Sequence, residues 1–95
     1  MAFGEGLYEL LGLVEKTGSI SGAATAMGLA YREAWGRLRD AESALARPLL
    51  VRQAGGAHGG GASLTPFGRS MMETYGVLKA ELEACAGRLA ETRLS

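Results

Sequence analysis

A mainly α-helical domain with one small β-hairpin is predicted by three features of this 95-residue chain. Two helical segments meet at a short turn containing Gly28, a glycine-rich loop separates two short apolar runs, and one long helical stripe closes the sequence. In this order they describe a winged helix-turn-helix followed by a long C-terminal dimerisation helix. The expected division is residues 1–64 for the winged helix-turn-helix and residues 65–95 for the dimerisation helix, together one structural domain. The length agrees, because a single hydrophobic core is built from about 50 to 200 residues.

Leu7, Leu10, Leu11 and Val14 recur at helical spacing, so a first amphipathic helix is expected from about residue 5 to 16, ended by Thr17-Gly18. Ser19 and Ser21 offer oxygens to the free amides of a second helix, which Ala23, Ala24, Ala26 and Met27 keep slim. Gly28 supplies a left-handed cap, and Leu29-Ala30 completes the turn. The third helix is expected over Tyr31 to Leu45, with Ala34, Leu38, Ala41 and Leu45 on its buried stripe. Its other face carries Tyr31, Arg32, Trp35, Gly36 and Arg39, flanked by Arg37.

Pro48 stops the helix and Leu49-Leu50-Val51-Arg52 reads as a strand. Gln53 to Gly61 is a loop containing five glycines, and Ala62-Ser63-Leu64 returns as the partner strand. Thr65-Pro66 opens the last helix, with a capping oxygen followed by a proline whose missing amide costs nothing at that position. Met71, Tyr75, Leu78, Leu82, Cys85 and Leu89 are spaced 4, 3, 4, 3 and 4, nearly a heptad seam, and such a stripe calls for a second copy of the helix.

Composition narrows the function. The net charge is zero, yet residues 1–30 carry −2 and residues 70–95 carry −1, so the middle carries +3. Every base there is arginine (Arg32, Arg37, Arg39, Arg47, Arg52 and Arg69), the side chain that suits bidentate contacts with phosphate and guanine. The glycine loop is not a nucleotide-binding phosphate loop, because Ala62-Ser63 stands where Lys and then Ser or Thr would have to follow Gly61. His58 and Cys85 lie on separate elements without the spacing of a metal site, and the single histidine among loop glycines builds no catalytic triad. No enzyme activity, cofactor, metal or small-molecule effector is therefore expected. One cysteine forms no internal disulfide, and neither a signal peptide nor an apolar run of about 20 residues is found, so a cytoplasmic protein without membrane contact is expected.

The run Gly18-Ser19-Ile20-Ser21-Gly22-Ala23-Ala24, the pair Tyr31 and Trp35, the loop Gly55-Gly56-Ala57-His58-Gly59-Gly60-Gly61 and the exit Leu64-Thr65-Pro66-Phe67-Gly68-Arg69 resemble the N-terminal DNA-binding domain of ModE-type molybdate-responsive regulators. The helix-turn-helix is also similar to that of LysR-type regulators. The likeness spans roughly residues 7 to 80. It implies a DNA-binding and dimerisation unit, with a connection to metal or oxyanion uptake genes. The molybdate-binding module of that family has no counterpart in the sequence up to Ser95, so molybdate sensing is not expected of this chain. Two departures matter. Ala30 replaces the family's capping Ser, a change that typically costs about 0.5 to 2 kcal/mol. Glu33 is expected to compensate by bonding back to an amide at the helix start. His58 replaces a wing-tip Lys, so the wing should grip phosphate less firmly.

The expected function is sequence-specific transcriptional regulation by a homodimer on a palindromic DNA operator. Tyr31 and Arg32 would reach base edges, Arg37, Arg39 and Arg52 would hold phosphates, and Ser19 or Ser21 with nearby amides would clamp another phosphate. His58 completes the expected DNA-binding set at the wing tip. Trp35 has two readings, packing beneath the wing and touching DNA. The competing class is a winged-helix protein-interaction module without sequence-specific DNA binding.

Overall fold

The apolar spacing of the first three segments becomes one core in the computed structural model, which describes residues 3–53 and 60–94. These residues form α1 (Glu5–Thr17), α2 (Ile20–Met27), α3 (Tyr31–Leu45), β1 (Leu50–Arg52), β2 (Ala62–Leu64) and α4 (Pro66–Leu94), the order of a winged helix-turn-helix. Leu10, Leu11 and Val14 of α1 are fully buried against Ala23 and Ala24 of α2 and Ala34 of α3. Each large apolar side chain withdrawn from water in this way contributes about 1.5 to 3 kcal/mol. The alanines let three helices approach closely.

Local chemistry sets the boundaries. Gly18 and Gly28 end α1 and α2 at φ 82° and 69°, the left-handed region that glycine enters without penalty. The Ser19 hydroxyl oxygen accepts a bond from the Gly22 amide at 2.9 Å and so caps α2. Ala30 gives α3 no side-chain cap. Glu33 does not replace it: its carboxylate turns one helical turn forward to Arg37 at 3.2 Å. Charge attraction along the helix face wins over the backward bond, and the first amides of α3 are left open.

The end of α3 holds a feature the sequence does not announce. Ala46 is left-handed at φ 58°, a conformation in which its Cβ crowds the neighbouring carbonyl. Ala46→Gly is expected to raise stability by about 0.5 to 1 kcal/mol. Urea unfolding checks this, and a lower midpoint would count against the strain.

The wing is a two-stranded antiparallel sheet in the register Leu50↔Leu64, Val51↔Ser63 and Arg52↔Ala62. It begins at Leu50, one residue later than the sequence suggests, because Leu49 is fully buried and its amide is held elsewhere. The Glu42 carboxylate accepts from Leu49 N at 2.6 Å and Leu50 N at 3.2 Å, which ties the strand to α3. On the other edge, Ala62 N donates to Gly18 O at 2.8 Å, tying β2 to the α1–α2 turn.

The exit from the wing explains its own sequence. Thr65 Oγ1 accepts from Gly68 N at 2.9 Å, capping α4, and donates to Pro48 O at 2.8 Å. Pro66 occupies the first helical position, and a Cβ on Gly68 would collide with the carbonyl oxygen of Leu49. α4 then runs antiparallel to α1. Arg69 pairs with Glu15 at 2.7 Å, and two turns and more along the helix Lys79 reaches Glu5 at 2.6 Å. Tyr75 donates to the other Glu5 oxygen at 3.1 Å. The Lys79 ammonium holds the Glu5 carboxyl below its ordinary range, and Glu5 in turn raises Lys79. The Tyr75 phenol is pushed up by partial desolvation and by the same carboxylate. With 29 residues at about 1.5 Å each, α4 is far longer than α1 and projects beyond the globule.

Candidate nucleic-acid interface

The orientation of α3 follows from its buried stripe. Ala34, Leu38 and Ala41 face the core, which turns Tyr31, Arg32, Gly36 and Arg39 outward and leaves Trp35 beside Arg52 of the wing. Tyr31, Arg32, Trp35, Gly36 and Arg39 line one groove of about 240 Å³. Tyr31 is 49% exposed, and nothing lies within 4 Å of where a Gly36 side chain would begin, so the groove is open at these two positions.

Arg52, the last residue of β1, lies over the Trp35 ring. Its guanidinium carbon lies 4.3 Å from the centre of the Trp35 ring, and that of Arg39 lies 5.3 Å from the same centre. Both are within the range in which a ring quadrupole attracts a cation. Trp35 is half-buried and meets the wing strand through the Arg52 guanidinium. Among the described residues no ion pair neutralises Arg32, Arg39 or Arg52. Two unpaired guanidinium groups lining the groove and a third on its Trp35 ring create a field that favours a polyanion.

The other central arginines are directed elsewhere. Arg37 pairs with Glu33 and lies near the start of α1, where a Cβ on Gly6 would sit 3.7 Å from its Nη1. Arg47 stacks on Phe67 at 4.1 Å, and Arg69 is held by Glu15. Ser19 contributes its oxygen to the cap of α2, while Ser21 is exposed one residue into that helix and its carbonyl accepts from Thr25 at 3.1 Å. His58, assigned to the wing tip from sequence, lies outside the described residues.

The seam of α4 divides in two. Tyr75 packs against this chain's own rings, with its centroid 5.5 Å from Phe3 and 5.0 Å from Tyr8, and Met71 lies against the core. Leu78, Leu82 and Leu89 are 52%, 69% and 56% exposed, and Cys85 is exposed beside them. Periodicity assigned all six residues to a second copy of the helix, whereas Met71 and Tyr75 pack against this chain's own core and rings. Among the described residues no cluster of three His, Cys, Asp or Glu is placed to hold a metal, and no helix is long and apolar enough to cross a membrane.

Residues 7–69 match the family described as bacterial regulatory helix-turn-helix protein, lysR family. Over 82 residues the chain is 39% identical to the molybdenum transport protein ModE of Azotobacter vinelandii, covering 86% of this chain and 30% of that protein. It is 42% identical over 71 residues to the molybdenum-pterin-binding protein MopB of Rhodobacter capsulatus, covering 75% of this chain and 26% of the relative. The DNA-binding transcriptional dual regulator ModE of Escherichia coli K12 is 35% identical over 69 residues, with 73% and 26% covered. The chain thus spans less than a third of the length of these curated relatives.

Proposed function

Because this chain belongs to the bacterial regulatory helix-turn-helix proteins of the lysR family, we propose that it is a DNA-binding transcriptional regulator acting on genes of molybdate or related oxyanion handling. The carrying observation is that Arg32 and Arg39 line a groove on the outer face of α3 with Trp35, and that Arg52 of the wing joins Arg39 over the Trp35 ring. With the first turns of α3 in a major groove, Arg32 and Tyr31 meet base edges while Arg39 and Arg52 meet phosphates. The Ser19 hydroxyl retains its hydrogen as a donor and, with Ser21 and the amides at the start of α2, suits a further phosphate. Arg37 is placed to act only if it leaves Glu33, and His58 belongs to the same reading as a weaker wing-tip contact.

Residues 1–64 form the DNA-binding part in this reading, and residues 65–95 pair two copies through Leu78, Leu82, Cys85 and Leu89. Met71 and Tyr75 stiffen the root of that helix against α1. Such a pair sets two recognition helices about one duplex turn, or a multiple, apart. The work is regulation in the cytoplasm and not catalysis. Selection of genomic fragments by the purified protein tests the proposal. An imperfect palindrome with half-sites spaced by about 10 base pairs or a multiple is expected. Recovery of fragments with no common sequence, together with binding that ignores salt, would replace it with a protein-interaction module.

A further inference from the structure

Two guanidinium groups from different elements share one indole ring, and no carboxylate among the described residues balances either. Like charges gathered this way repel, and an isolated domain gains nothing from keeping them together. The ring pays part of that cost, since each cation lies within reach of its negative face. Its placement also has a mechanical consequence. Arg39 stands on the third helix and Arg52 ends the first wing strand, directly before a loop, where a long side chain would otherwise sample many rotamers.

We infer that Trp35 is the positioning residue of the interface: it fixes Arg52 of the wing against Arg39 of α3, so that both present to the duplex backbone as one preorganised unit. The inference rests on the DNA-binding reading and assigns to Trp35 a role exerted through its neighbours. Arg52 is held before binding occurs, so less rotamer entropy is lost when a phosphate arrives. The wing and the recognition helix are thereby coupled by a side-chain stack in addition to the Glu42 bonds to Leu49 and Leu50.

A double-mutant cycle on duplex affinity, with the full chain and a salt titration for each variant, tests this. In the wild type, Arg52→Ala is expected to weaken binding by about tenfold or more, the scale of a hydrogen bond to a charged group. In Trp35→Leu the same replacement should cost less than about threefold, because an unpositioned Arg52 contributes little, and the salt slope should already be reduced by about one phosphate equivalent. Trp35→Phe keeps a ring and should recover most of the affinity and slope lost in Trp35→Leu. Equal cost of Arg52→Ala in both backgrounds, or identical binding by the Leu and Phe variants, overturns the positioning role while leaving salt-dependent binding by the wild type intact. A wild type that binds no duplex overturns this inference and the functional reading together. If Trp35→Leu does not fold, the cycle is run between Trp35→Phe and Arg52→Ala, where a partial loss of additivity is required.

Discussion

Arg32→Ala and Arg52→Ala are expected to fail in different ways. Arg32 lies in the first turn of α3 and lines the open groove, free of any ion pair among the described residues. Losing it should relax discrimination at one operator position by about 1 to 3 kcal/mol, with affinity for random duplex reduced far less. Arg52 ends β1 beside Trp35, and the proposed pose gives it duplex backbone and not base edges. Losing it should weaken operator and random duplex in equal proportion and reduce the slope of log affinity against log salt by about 0.9. Competition binding at several salt concentrations separates the two. Identical specificity ratios for both variants would show that the groove does not divide its work this way.

Gly68→Ala is the substitution with the largest expected effect on the fold. The first turn of α4 passes so close to Leu49, the residue before β1, that a methyl group would strike its carbonyl oxygen, with the carbonyl carbon 3.1 Å away. That obstacle is backbone. It is held in place by Glu42 on the Leu49 amide and by Thr65 N donating to Leu49 O at 3.0 Å. Overpacking costs typically 1 to 3 kcal/mol when side chains can shift, and here the neighbour cannot give, so about 3 kcal/mol is expected. For a domain of this size that lowers Tm by roughly 10 °C or more. Gly87→Ala is the control, since nothing lies within 4 Å of its future methyl group and alanine favours a helix interior by about 0.5 to 1 kcal/mol. The same chemical change should therefore destabilise at one glycine and stabilise at the other. Thermal unfolding of both variants decides it, and a Gly68→Ala protein melting with the wild type would refute the close approach.

Local rules made most of the fold legible. The leucine and alanine stripes located α1 to α3, glycine marked two of the three left-handed caps, and Thr65-Pro66 opened α4 as its chemistry requires. The third cap was hidden because Ala46 carries no signature of positive φ. The Glu42 bonds were hidden because a carboxylate seven residues from the amide that donates to it has no pattern to betray it. At the interface, summing charge over a segment located the basic third but said nothing about direction. Arg37 and Arg39 are two residues apart, and a helix turns them to opposite sides, one to Glu33 and one to Trp35. The loss of Arg69 to Glu15 and of Arg47 to Phe67 depends on how distant elements meet. The α4 stripe shows the same limit, because an apolar period is identical whether it faces α1 or a second molecule.

In the proposed pose the groove beside Trp35, and not another basic surface of this chain, meets the duplex. Amide and indole chemical shifts recorded while a duplex is added address it directly, since the chain's single tryptophan gives one indole signal. Movement of the Trp35 indole together with the amides of residues 31–39 and 50–52 is the predicted result. A stationary Trp35 signal, with shifts gathered instead around Arg47 and Arg69, would contradict the account.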